Sequence, residues 1–297
     1  MLQAIAAQWV PHLGDAQAEP SALARAAIGR ALGQWDLDRR HGIGLRADGL
    51  PEIDWVRIKT PGPFFCQDGQ HPALPTFDIA RYPVTHRHFQ AFVDAGGYAD
   101  DRWWKGLAKR IEAPLDAAWA EPNAPRETVS WYEAVAFCRW LGAQWGQDIR
   151  LPTEAQWERA ARGVRGRKYP WGKVYLAGCA NCNEVASEVT DGVFIGRTSA
   201  VGIYPHPSAE GVHDLAGNVW EWCLNEQERP LNMDDSGNAS RVLRGGSWVN
   251  DTGNLRAAFR YGHAPDVRVS DFGFRVCRVS PIEKLGTGAL DAGSLAR

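Results

Sequence analysis

Apolar positions in residues 1–46 recur every three to four residues, as in Ala22-Leu23-Ala24-Arg25-Ala26-Ala27-Ile28-Gly29-Arg30-Ala31-Leu32. That spacing predicts one or two short helices. Gly42-Ile43-Gly44-Leu45 and Gly49-Leu50-Pro51 break the pattern and mark a linker over about 43–52. From Trp55 the character changes, and Trp55–Ile58 and Thr76–Val84 read as short strands. Thr85 is placed to cap a helix over His86–Ala95, with Phe89 and Phe92 on one face and Gly96-Gly97 ending it. A second helix is predicted from Ser130, where Glu133 completes a capping box, through Ala134, Phe137, Cys138 and Leu141. Residues 151–162 predict a third, capped at Thr153. Beyond Arg162 the chain is punctuated by Gly, Pro and Asn, with strands at about 219–223, 241–244 and 272–279. A few helices followed by a loop-rich half is an α+β pattern. The expected division is an N-terminal helical segment with linker (1–50), one domain (51–281) and a disordered tail (282–297).

Composition narrows the classes. Fourteen tryptophans, most in the middle of the chain, suit a large domain with little regular structure that needs bulky anchors. A formal charge of -2 gives no electrostatic footprint for nucleic acid or an anionic membrane, so neither is expected as a partner. No stretch resembles a signal peptide or a membrane span, and cytoplasmic residence is the expectation. The six cysteines are scattered and need no disulfide framework. Arginine dominates lysine, and Ala and Gly abound, a bias that suggests a GC-rich bacterial genome.

Seven strings carry more information because of their order. They are Tyr82-Pro83-Val84-Thr85; Val129-Ser130-Trp131-Tyr132-Glu133-Ala134; Arg150 to Glu158 (RLPTEAQWE); Tyr169-Pro170-Trp171-Gly172; Asp214 to Trp222 (DLAGNVWEW); Arg241 to Trp248 (RVLRGGSW); and Gly273-Phe274-Arg275-Val276. Each has a local physical reading. In Asn218-Val219-Trp220-Glu221-Trp222, strand alternation puts the two tryptophans on one face and Glu221 on the other. Gly245-Gly246 permits a sharp turn beside Trp248. Taken together, over about residues 52–280, the series resembles the formylglycine-generating-enzyme (sulfatase-modifying factor) domain. The resemblance implies a C-type-lectin-like fold: a small twisted antiparallel sheet, two or three helices and long loops.

The same resemblance implies structural calcium. Asp214, the carbonyls of Gly217 and Val219, and Glu221 match one site of the family, and oxygen donors suit that hard cation. The alternative is that Asp214 caps a turn and Glu221 pairs with an arginine. A second site would use Asn181 and the carbonyl of Cys182, but its acidic partner aligns near Val193, with Asp191 two positions away.

The family's enzymes hold copper with two cysteines after the Gly-Gly-Ser motif. Here those positions fall on Asn250 and near Asn254, and neither side chain can act as a thiolate. Copper is therefore not expected. Cys179-Ala180-Asn181-Cys182 has zinc-ligand spacing but no second pair of Cys or His ligands. Iron, used by the superfamily's sulfoxide synthases through histidines of an added helical domain, is not expected either: His86 and His88 are two apart, and the N-terminal segment holds only His12 and His41. Ser247, His263 and Asp271 can be composed into a triad on paper, without geometry to support it.

Residues 249–272 contain no Lys, Glu, Gln, Met or Trp. Those are the types unreachable when AAC codons are randomised at adenines. With the frame around it, the stretch resembles the variable region of diversity-generating retroelement target proteins, which vary surface residues on the same lectin-like scaffold. Leu255, Ala257, Phe259, Phe274 and Val276 would be frame. The resemblance makes Val249, Asn250, Asp251, Thr252, Gly253, Asn254, Tyr261, Gly262, His263, Val267, Val269, Ser270, Asp271 and Phe272 the ligand-binding positions. The alternative is an ordinary loop-rich terminus that omits those types. The expected function is a non-catalytic binding protein with a macromolecular ligand, a protein first of all. The competing reading is a metal-dependent oxidoreductase of the formylglycine-generating or sulfoxide-synthase type.

Overall fold

The computed structural model describes residues 2–67 and 69–279; the expected 282–297 tail lies outside them. Two helices, α1 (Leu2–Trp9) and α2 (Ala22–Gln34), open the chain, and the Ser21 hydroxyl caps α2 by accepting from Ala24 N–H. Three short strands follow, β1 (Trp55–Ile58), β2 (Phe64–Cys66) and β3 (Gly69–His71), and then β4 (Phe77–Ala80). Helix α3 (His86–Asp94) starts at Thr85 in a capping box closed by the His88 ring. Helix α4 (Trp131–Trp145) starts at Ser130 with Glu133 closing the box, and ends where Gly146 turns left-handed at φ 62°. After β5 (Ile149–Arg150), helix α5 (Glu154–Arg162) is capped by Thr153 with Gln156 as the reciprocal partner. The loop-rich half carries β6 (Trp220–Glu226), β7 (Arg241–Arg244), β8 (Arg260–His263), β9 (Phe272–Gly273) and β10 (Cys277–Val279).

The strands form two four-stranded sheets, β1-β4-β10-β5 and β8-β7-β6-β9, and the β2-β3 hairpin. All described pairings are antiparallel except β6 with β9, which run parallel through Trp220↔Phe272 and Glu221↔Gly273. The predicted strand over 272–279 is thus two short strands in different sheets, and Phe274 and Val276 between them are fully buried. An aromatic core joins α3 and α4 to the second sheet, with Phe89, Phe92, Phe137, Trp140, Trp222 and Phe274 among its members. Trp220 and Trp222 both face this core, as their alternation predicts.

The N-terminal segment is built into the domain. Ala22, Ala26 and Leu32 of α2 pack on Ala200, Ile203 and Tyr204. The buried Arg25 donates from Nε to the Ile203 carbonyl at 2.9 Å. The 43–52 stretch is a docked loop rather than a free linker. Leu45 bridges to Pro51, and the carbonyl of the buried Ile43 accepts the Thr85 hydroxyl at 2.9 Å.

Candidate functional site

Strands β6 and β7 and the turn after β7 position the expected ligand face. Gly245 and Gly246 have φ 99° and 73°, a region that favours glycine, and the chain turns there against Trp157 and Leu255. Ser247 follows. Its hydroxyl lies 2.7 Å from Asn250 Oδ1 and 2.8 Å from Asp271 Oδ2, and Asn250 Oδ1 also accepts the Ser247 N–H at 3.0 Å. The Asn250 carbonyl accepts from Asn183 N–H. Asn254 donates from Nδ2 to Asp251 Oδ1 at 3.3 Å, and that oxygen also accepts the Gly253 N–H. Asn250 and Asn254, the expected position and neighbourhood of the family's cysteines, are asparagines that tie the loop to itself.

Around this loop the expected ligand positions separate. Val249, Asp251, Gly253, Tyr261 and Val269 are exposed, and Thr252, Asn254, Gly262, His263, Val267 and Ser270 are partly so. Asn250 and Asp271, also partly exposed, are held by Ser247, and burial raises the carboxyl of Asp271 above its ordinary range. Phe272 is a correction: it is only 4% exposed, lies in β9 and packs edge-on against Trp222 at 5.4 Å. It belongs to the core. Of the five expected frame residues, Leu255, Ala257, Phe274 and Val276 are fully buried and Phe259 partly.

Three aromatic residues far apart in sequence frame the loop. Trp248 lies edge-to-face with Trp119 at 5.0 Å and stacks with Phe194 at 6.2 Å, while its Nε1 donates to the Ser270 carbonyl. No local spacing in the sequence links Trp119 or Phe194 to Trp248. His263 does not meet Ser247. Its Nδ1 accepts the Ala264 N–H and its ring packs on Tyr261 and Phe272. Ser247 and Asp271 come together, but the paper triad does not.

The first calcium set does not fit a cation as folded. Both Glu221 oxygens are taken: Arg275 donates to Oε2 at 2.6 Å and Oε1 at 2.7 Å, and Trp157 Nε1 donates to Oε2 at 2.7 Å. Asp214 stands in a turn at φ 55°, where its Oδ2 accepts the Gly202 N–H at 2.6 Å, and burial pushes its carboxyl up to about 6. The Gly217 carbonyl accepts from Val219 N–H. The guanidinium of Arg275 supplies the positive charge that Glu221 needs, so Glu221 pairs with an arginine.

At the second set, Asn181 is buried and donates from Nδ2 to Arg197 O, Ser199 Oγ and Asn218 Oδ1, leaving its Oδ1 without a partner. That orphaned oxygen suits one ligand of a hard cation. Besides Asp251, the acidic residue that acts on the Cys182 thiol is Glu184. Its carboxylate is filled by Tyr175 hydroxyl, Gly178 N–H and Val193 N–H at 2.5, 2.7 and 2.8 Å. Cys179 and Cys182 are buried free thiols, and burial pushes both up to about 12. Among the described residues, no three His, Cys, Asp or Glu side chains are grouped to hold a metal. No helix among them is long and apolar enough to cross a membrane.

Known proteins match this arrangement in sequence and in fold. The sulfatase-modifying factor enzyme 1-like domain matches residues 60–280. Hercynine oxygenase from Mycolicibacterium thermoresistibile is 34% identical over 66% of this chain and 50% of its own, so the chain spans about half that relative's length. Formylglycine-generating enzyme from Thermomonospora curvata is 32% identical over 73% of this chain and 88% of its own. Among solved structures, Treponema denticola variable protein 1 superposes with a TM-score of 0.58 at 22% identity, over 79% of this chain and 98% of its own. The last likeness is one of fold. This chain belongs to the sulfatase-modifying factor enzyme 1-like family, with the α+β, C-type-lectin-like fold of the formylglycine-generating enzymes.

Proposed function

We propose that this protein is a non-catalytic binding scaffold that presents the 248–271 face to a macromolecular ligand, a protein first of all. The observation that carries the reading is the pair Asn250 and Asn254. Where the resemblance places the family's copper cysteines, at Asn250 and near Asn254, stand amides hydrogen-bonded into the loop, with no thiolate to bind a soft metal. The face itself has the mixture that binding surfaces use. Val249, Tyr261 and Val269 are exposed apolar side chains at 45%, 40% and 39%, interspersed with Asp251, Thr252 and Ser270. The frame beneath is rigid, since Leu255, Ala257 and Phe274 are fully buried. The fold shared with a protein named as a variable protein is consistent with a face that changes while the frame stays.

The enzyme reading draws on the identity to proteins named formylglycine-generating enzyme and hercynine oxygenase. It needs a metal site, and the residues at the matching loop do not supply one. Metal analysis after expression separates the two. Stoichiometric copper or iron with oxygen consumption supports the oxidoreductase, and their absence with an unchanged fold supports the scaffold. Diversification is tested in the neighbouring DNA: a near-copy of the codons for 240–280 with adenines at the differing sites, beside a reverse transcriptase gene, is the expected arrangement.

A further inference from the structure

The geometry points to a second binding site, for a small amphipathic monocarboxylate, in the cavity between α3 and the 114–122 loop, with Arg126 as its counter-ion. The cavity holds about 440 Å³, within the range of small-molecule sites, and Leu45, Phe89, Val93 and Leu115 contribute apolar wall. Two polar side chains on its lining are left incomplete, though each is only 8% exposed: Arg126 and His86. Arg126 donates one Nη to the Leu115 carbonyl at 2.7 Å and rests on the Phe89 ring at 5.0 Å, but its Nε has no hydrogen-bond partner. Among the described residues no carboxylate makes a contact ion pair with it, and Glu133 and Glu127 favour its charge only from farther off. A buried guanidinium left this way is costly unless something completes it.

His86 adds a second requirement. Burial, with the Arg126 charge beside it, drops its pKa to about 3, so the ring is neutral. The buried Nε2 has no partner, so it wants a group that can either give or take a hydrogen bond. The site therefore asks for a carboxylate beside a hydroxyl, on a short apolar body. The other charges on the lining favour a single negative charge. Arg87 is already paired to Asp36 at 2.6 Å, while the acidic Asp94 and Asp116 repel a dianion such as a phosphate ester more than a monocarboxylate. The site is independent of the 248–271 face, although Trp119 touches both.

Isothermal titration calorimetry on the full chain tests this with octanoate, 3-hydroxyoctanoate, octanol and octyl phosphate. Octanoate is expected to bind saturably at one site. Octanol and octyl phosphate are expected about tenfold or more weaker, and 3-hydroxyoctanoate about fivefold tighter, the effect of one added hydrogen bond. His86→Phe removes the preference for the hydroxy acid, and Arg126→Met weakens octanoate at least about tenfold. Because Arg126→Met strikes a buried group, Ala117→Trp provides a second arm: it fills the cavity from a partly exposed loop position and must also abolish binding. No saturable binding to the native chain, octyl phosphate binding as well as octanoate, or octanoate binding retained in a folded variant of either kind overturns the assignment.

Discussion

Glu221 and Arg275 form a two-bonded ion pair at 2.6 and 2.7 Å, with side chains only 1% and 0% exposed. Arg275 also donates to the Ala80 and His213 carbonyls, so one guanidinium ties β6 to the end of β4 in the first sheet and to the 213 loop. Breaking such a pair from one side leaves a buried charge alone. Arg275→Met should therefore cost about 3–5 kcal/mol in urea unfolding, and the double variant with Glu221→Gln should recover part of the loss. Because Arg275 neutralises Glu221, chelation with EGTA is expected to leave the unfolding midpoint unchanged by this site. A large midpoint drop on chelation that Glu221→Gln abolishes would show calcium there instead.

The scaffold and the face should respond differently to truncation. Val249→Ala and Val269→Ala are exposed changes and should each shift stability by less than about 0.5 kcal/mol, whereas Tyr261→Ala, whose ring packs on Trp220, should cost about 1 kcal/mol. Phe272→Ala removes a core ring packed on Trp222 and should cost about 3–5 kcal/mol. Chemical denaturation of the four variants decides whether 272 belongs to the frame.

The start of α4 is another fixed point. Ser130 N–H and hydroxyl both donate to Glu133 Oε2, at 2.8 and 2.6 Å, and Tyr98 donates to Oε1 at 2.5 Å. Ser130→Ala removes the cap and one donor to a fully buried carboxylate. A loss of about 1–2 kcal/mol is expected by thermal or urea unfolding.

Acid should destabilise the fold through buried histidines. Burial, with nearby arginine charge, lowers His86 and His88 to about 3 and His213 to about 4. The unfolded chain protonates these rings near 6.5, so below that pH it binds more protons than the folded chain. Stability should be flat in this respect above about pH 7.5 and fall as the pH drops from 6.5 toward 4, by roughly 1–2 kcal/mol per ring at pH 5. His88→Gln should flatten part of that slope in unfolding measured from pH 7.5 to 5.

Much of the frame was legible in the sequence because its signals are local. The caps at Thr85, Ser130 and Thr153 each depend on residues within one turn, and the structure places all three. Trp220 and Trp222 followed from strand alternation, and β1 and β7 from short apolar runs. What escaped the sequence depends on contacts between distant segments. Arg275 was visible within its motif, but nothing local paired it with Glu221 across 54 positions. Glu184 could not be tied to Val193, nor Trp119 and Phe194 to Trp248, before the loops were folded together. Phe272 sits in a stretch whose composition suggested a changeable surface, yet its parallel pairing with β6 turns it inward. The docked 43–52 loop escaped for the same reason, since Gly and Pro mark a turn without saying what covers it.

The central claim is that the loop carrying Asn250 and Asn254 binds without catalysing. The most direct measurement incubates the purified full chain, loaded with copper(I), with a sulfatase-derived cysteine peptide under oxygen and follows the peptide by mass spectrometry. The account predicts an unmodified cysteine and no copper-dependent oxygen consumption, with Thermomonospora curvata formylglycine-generating enzyme as the positive control. Conversion of the cysteine to its aldehyde by this chain would contradict it.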